Sequence, residues 1–184
     1  MPRTLCAAVV VAATAFLVVV PAAAAWTWPA DGPVLRPFQL GEDAYAAGQH
    51  RGVDVGADVG TAVRAPAAGT VSFSGSVPGG GRAVTIQTAD GYAVTLLQLG
   101  SVTVGRGSLV AEGDVVGQAG ESEDAVTRSP HVHLGVRRAG EPDGYVDPLG
   151  LLPARVPAAA PDPLPAPAPS PQPAPAVAAA EPAP

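Results

Sequence analysis

The chain contains no lysine. All ten of its basic residues are arginine, set against sixteen acids, which gives a formal charge of −6 over 184 residues. Without a lysine there is no attachment point for a lipoyl or biotinyl group, so carrier domains are excluded. The acidic balance argues against nucleic acid or an anionic membrane surface as the main partner, because neither is attracted to a net-negative surface. There is one cysteine, Cys6, so no framework of disulfides holds the chain together. Between residues 26 and 152 there is also no apolar pattern that sustains three turns of helix.

The two ends differ from the middle. Arg3 precedes a run that is apolar from Leu5 to Val20 except for Thr14, and Pro21 and four alanines follow. That order predicts a secretory signal over residues 1–25, removed together with Cys6. The mature protein is then expected to be secreted, extracellular and associated with the cell wall, with no stable membrane insertion. Residues 153–184 hold 12 prolines, mostly alternating with alanine. Proline removes a backbone donor and fixes φ, so this segment is expected to be an extended, disordered tail. One domain of about 127 residues, 26–152, remains.

That domain reads as all-β. Short runs rich in β-branched residues at 53–55, 70–74, 83–88, 92–97, 115–118 and 132–137 alternate with glycine-rich turns such as PAAG, PGGG, ADG and AEG. The segment from Glu121 to Ser129 shows no periodicity and reads as a loop. The expected architecture is a sandwich or barrel.

The domain's only imidazoles are His50, His131 and His133. His131 and His133 stand one residue apart in SPHVHLGVR, so on a strand both face the same surface. His50 precedes Asp54 by four in HRGVDV. A fully extended strand would hold that pair roughly 13 Å apart, too far to share an ion, so convergence requires the backbone to turn near Gly52. Two histidines and one carboxylate form a ligand set for catalytic zinc that leaves a fourth position for water. Spacing alone leaves open whether His131, His133 or both bind.

These residues, in this order, resemble the lysostaphin-type (LytM-like) zinc endopeptidases, which cut peptide crosslinks of bacterial peptidoglycan. The similarity runs from WTWPADGPVLRPF, which resembles the family's opening strand, through HRGVDVGADVGTAVRAPAAGTVSFSG, DGYAVTLLQL and VAEGDVVG, to SPHVHLGVRRAG and YVDP. It covers nearly all of residues 26–152. It implies a compact antiparallel β-sandwich with a metal-floored groove and one Zn²⁺ held by His50, Asp54 and His133. It also implies His131 as general base and peptidoglycan peptides as substrate or partner. One position departs: the family's second catalytic histidine, in Y-x-H-L, falls on Gln98 in LLQL, where Leu96 replaces the tyrosine. Glutamine donates and accepts hydrogen bonds but carries no titratable proton. The resemblance therefore implies either a slow metalloendopeptidase, with Gln98 as a hydrogen-bonding helper, or a catalytically degenerate domain that binds wall peptides or activates another hydrolase. Tyr45 lies where some members place an oxyanion-stabilising tyrosine. Arg51 and Arg82 are candidates to meet carboxylates of a stem peptide, Trp26 and Trp28 are expected to pack the opening strand, and Asp147 is expected to cap the closing turn.

Overall fold

The structure is a computed structural model that describes residues 26–43 and 46–155. The predicted signal segment, Tyr45, and nearly all of the predicted tail lie outside the described residues. The strands in chain order are β1 (Val34–Arg36), β2 (Val53–Gly56), β3 (Ala62–Arg64), β4 (Gly69–Val77) and β5 (Gly81–Gln87). They continue with β6 (Tyr92–Val102), β7 (Leu109–Val110), β8 (Val115–Ala119), β9 (His131–Arg138) and β10 (Tyr145–Val146). A single 3₁₀ turn, Pro148–Gly150, follows; its N-cap is Asp147, whose carboxylate accepts from Leu149 N at 2.9 Å. Among the described residues there is no α-helix.

All six runs read as strands in the sequence form strands. The four that were not read individually, β1, β3, β7 and β10, are two or three residues long. That is too short for alternation to show. β1 does fall within the segment that resembles the family's opening strand.

All pairings are antiparallel, and the main sheet runs β1-β2-β9-β6-β5-β4-β7. The long strand β6 gives the fold its second layer. Its first part, through Leu97, pairs with β9; from Leu99 onward it pairs with β8, which in turn pairs with β3. The changeover falls on Gln98, whose φ of 64° is the only positive value at a non-glycine among the described residues. A residue held in the left-handed region costs roughly 1 kcal/mol or more and persists only where its surroundings hold it. Here it forms the corner at which one strand serves two sheets.

Alternation decides which face is core. Val53 and Val55 of β2, Val94 and Leu96 of β6, and Val132, Leu134 and Val136 of β9 point inward and are almost fully buried. They meet Val84 and Ile86 of β5. Trp26 closes one end, edge-on to Tyr92 with ring centroids 5.8 Å apart, and Trp28 packs beside it. The tryptophans therefore cover core, as the sequence suggested. On the other face, Asp54 lies opposite His133 in the β2–β9 register, and Gly56 lies opposite His131.

Leu134 supports the strand that carries both histidines. Leu134→Ala should destabilise the metal-free chain by about 3 kcal/mol, within the usual range for a buried leucine. Chemical denaturation, read as a shift in midpoint at constant slope, checks this.

Candidate metal centre

The site is assembled by strand register and one bend. Successive alternate residues of β9 share a face, so His131 and His133 both project from the outer side of the sheet. β2 sets Asp54 directly across from His133. His50 arrives from outside these strands. It is fixed by a two-way bridge to Gln39, with N–H to O distances of 2.7 and 2.9 Å, after which the chain bends at Arg51 and Gly52 into β2. The turn that convergence required is thus present. Gly52 is needed there for close approach. A Cβ at that position would lie 2.3 Å from the Leu134 carbonyl and 2.7 Å from His133 Nε2.

Three atoms converge. His50 Nε2 lies 3.0 Å from Asp54 Oδ1, His133 Nδ1 lies 2.8 Å from the same oxygen, and the two nitrogens are 3.2 Å apart. Ligands at 2.0–2.1 Å around a tetrahedral zinc are separated by about 3.3 Å, so this triangle has the size that such an ion needs. The protonation pattern points the same way. His50 Nδ1 faces the Pro37 carbonyl at 2.7 Å and must carry the hydrogen. A neutral His50 then turns a lone pair toward a carboxylate oxygen and a second imidazole, in a buried place. A divalent cation placed among the three atoms satisfies them all. The residues fit zinc.

Asp54 is fully buried. Burial alone raises a carboxyl pKa, but the His133 and His50 imidazoles and the Thr127 hydroxyl packed against the carboxylate outweigh it and hold Asp54 well below the ordinary aspartate value. The Thr127 hydroxyl donates to Oδ2 at 2.7 Å, which leaves Oδ1 for the imidazoles.

His131 occupies the other side of the aspartate. It has no exposed surface; its Nδ1 faces the Ser129 carbonyl at 2.8 Å, which fixes the tautomer. Its Nε2 then carries a lone pair, lies 3.7 Å from Asp54 Oδ1, and has no hydrogen-bond partner. Ligand-type atoms of Asp54, Asp124 and His131 come within 4.8 Å of one another.

Gln98 lines the same groove as His50 and His133, but its amide is committed elsewhere. Its Nε2 donates to the Gly79 carbonyl at 3.1 Å, and its Oε1 accepts from Glu123 N at 2.9 Å. The side chain fastens the 78–80 turn to the 121–129 loop.

The sequence marks that segment only as a loop. The structure ties it to the site, since Thr127 Oγ1 donates to Asp54, Glu123 N donates to Gln98 and Asp124 comes near His131, a role that no periodicity or motif signals. Of the two arginines singled out from the sequence, Arg51 lines the groove, with its guanidinium 5.6 Å from the Tyr145 ring centre. Arg82 lines a separate depression beside Glu121 and Glu123.

Comparison with known proteins agrees with this geometry. Residues 48–148, more than half of the chain, match the profile of Peptidase family M23. The chain is 34% identical over 110 residues to the DD-carboxypeptidase/endopeptidase Mpg of Neisseria meningitidis, covering 60% of this chain and 23% of that one. It is 30% identical over 132 residues to the murein hydrolase activator NlpD of Salmonella typhimurium, covering 71% and 32% respectively. It thus spans about a quarter to a third of these relatives. The catalytic domain of lysostaphin from Staphylococcus simulans superposes with a TM-score of 0.53 at 26% identity, covering 65% of this chain and 88% of that domain.

Two outcomes follow from the centre. Gly52→Ala should push His133 out of the triangle and weaken zinc binding roughly tenfold or more, measured by competition with a chromogenic chelator. In the metal-free chain, the lowered Asp54 pKa contributes stability that is fully present above the ordinary aspartate value of 3.8 and lost as pH falls below it. Acid unfolding followed by circular dichroism should therefore be shallower for Asp54→Asn than for wild type.

Proposed function

The chain belongs to Peptidase family M23, a family of zinc peptidases, and on that premise we propose that it is a secreted, wall-associated zinc metalloendopeptidase that hydrolyses peptide bonds in peptidoglycan. One observation carries the reading. Three ligand atoms lie within 3.2 Å of one another, beside a buried imidazole nitrogen that has a lone pair and no partner. A purely structural centre would close its coordination shell and would have no use for an idle base next to it.

In this reading His50 Nε2, Asp54 Oδ1 and His133 Nδ1 hold the zinc. When bound, the ion would polarise a scissile carbonyl and make water acidic enough to attack at neutral pH. The remaining work belongs to the chain. The Ser129 carbonyl holds His131 with its proton on Nδ1, so that Nε2 accepts the proton of the attacking water and passes it to the leaving amine. Thr127 fixes the rotation of the Asp54 carboxylate. Gln98 touches no proton in transit; it holds the two loops that wall the groove. The groove, about 590 Å³, is open enough for an extended peptide to lie along β9.

The commitment of Gln98 to backbone partners also favours a second reading, a non-catalytic domain that activates another wall hydrolase, the role named for the Salmonella relative. The intact triangle and the idle His131 nitrogen favour the enzyme.

Zinc-loaded protein incubated with purified peptidoglycan should release new amino groups. Release should stop with chelator and fall about 10²–10⁴-fold in His131→Ala, which should still bind one zinc. No new amines from the zinc-loaded wild type, together with stimulation of a second wall hydrolase, would establish the activator reading instead.

A further inference from the structure

The groove continues well past the metal ligands, and its charge changes along the way. On the outer face of β9, His133 is followed by Gly135 and Arg137, spaced two residues apart. Beside them on β6 run Leu97, Thr95 and Ala93 in register. Gly135 keeps the floor open: a methyl there would meet nothing closer than 3.4 Å, so glycine is not forced by a clash. The floor ends at Arg137, which pairs with Tyr145 of β10. The Arg51 guanidinium sits over the Tyr145 ring, so both Arg51 and Arg137 line the groove beside that tyrosine. A third, Arg36, lines the wall beside Asp54, its partner in the β1–β2 register. Among the described residues, Asp124 is the only acid on the groove's walls. The chain as a whole carries −6, so this cleft has the opposite sign to the molecule.

From this placement we infer that Arg51 and Arg137 form a subsite for a carboxylate on the peptide lying in the groove. The inference rests on the endopeptidase reading and adds its substrate preference. Arg137 uses one donor on the Pro142 carbonyl at 3.4 Å, and a guanidinium has five, in a fork that matches a carboxylate. Arg137 follows His133 by four strand positions, roughly 13 Å at strand rise. A substrate stretched alongside β9 therefore bears its carboxylate about four residues from the bond that is cut. Either a chain-end carboxylate or an acidic side chain presents the required chemistry. Arg82 has no part in this, because it lies in the separate depression with Glu121 and Glu123.

The test measures binding without cleavage. Chelator-treated full-length protein is sedimented with purified peptidoglycan, either intact or with its free carboxylates amidated by carbodiimide and ammonia. Amidation should lower binding about tenfold, as should Arg137→Gln and Arg51→Gln, and amidation should add little to the double variant. Arg138→Gln, an exposed neighbour outside the groove, should bind as wild type does. Synthetic stem peptides amidated only at the chain end or only at the side chain show which source is read. Equal binding of intact and amidated material, no binding of either, or an equal loss in Arg138→Gln would overturn the subsite. Carboxylate-dependent binding by a chain whose zinc-loaded form releases no amines would retain the subsite and remove the endopeptidase. Equal cleavage of intact and amidated peptidoglycan would do the reverse.

Discussion

Asp54 Oδ1 sits within hydrogen-bonding distance of two imidazole nitrogens, on a side chain with no exposed surface of its own. The rest of the structure follows from that crowding. Buried lone pairs that face one another are costly unless something positive lies among them. The chain brings them together nonetheless, through three devices distant in sequence: the β2–β9 register, the Gln39–His50 bridge, and a glycine that allows β9 to pass at contact distance. Each device is unremarkable alone; together they define a demand for a divalent cation.

The core exists to hold that geometry still. Val53 and Val55 flank Asp54, and Val132 and Leu134 flank His133, so the two strand-borne ligands each stand between two inward-facing apolar side chains. A one-residue slip in either strand would send the ligands inward and the valines out, and the hydrophobic face forbids it. Above the ligands, the 121–129 loop supplies Thr127 to the aspartate and Ser129 to His131, setting one carboxylate rotation and one tautomer. Hydrogen-bond partners of this kind orient ligands and bases in metal sites generally. Gln98 contributes at one remove. As the corner residue of β6 it sends that strand into the second layer, and its amide then pins the loop.

Much of this was legible in the sequence, for identifiable reasons. Strands of four or more residues show in the sequence, so the six longer strands and the shared face of His131 and His133 could be read directly. The His50–Asp54 pairing was legible only as a condition, a turn near Gly52, because nothing local says whether a glycine bends. The short strands left no periodic trace. The loop was legible as a loop, but not its part in the site, because its order comes from contacts made far away in sequence: Thr127 reaches Asp54 across 73 positions, and Glu123 reaches Gln98 across 25. Likewise, the resemblance places Gln98 of LLQL where the family carries a histidine, but it does not show that the amide is committed to Gly79 and Glu123. The groove's arginines are similarly dispersed, on β1, on the bend before β2 and on β9, and only the fold gathers Arg51 and Arg137 around Tyr145.

The triangle of His50, Asp54 and His133 is sized for one divalent ion. Calorimetric titration of zinc into the chelator-treated chain, with thermal unfolding recorded before and after, tests it most directly. The account predicts one equivalent bound and a rise in melting temperature that grows with free zinc, both absent in a chain carrying Asp54→Ala. A wild-type chain that takes up no zinc at micromolar concentrations and melts at the same temperature with and without it would contradict the account.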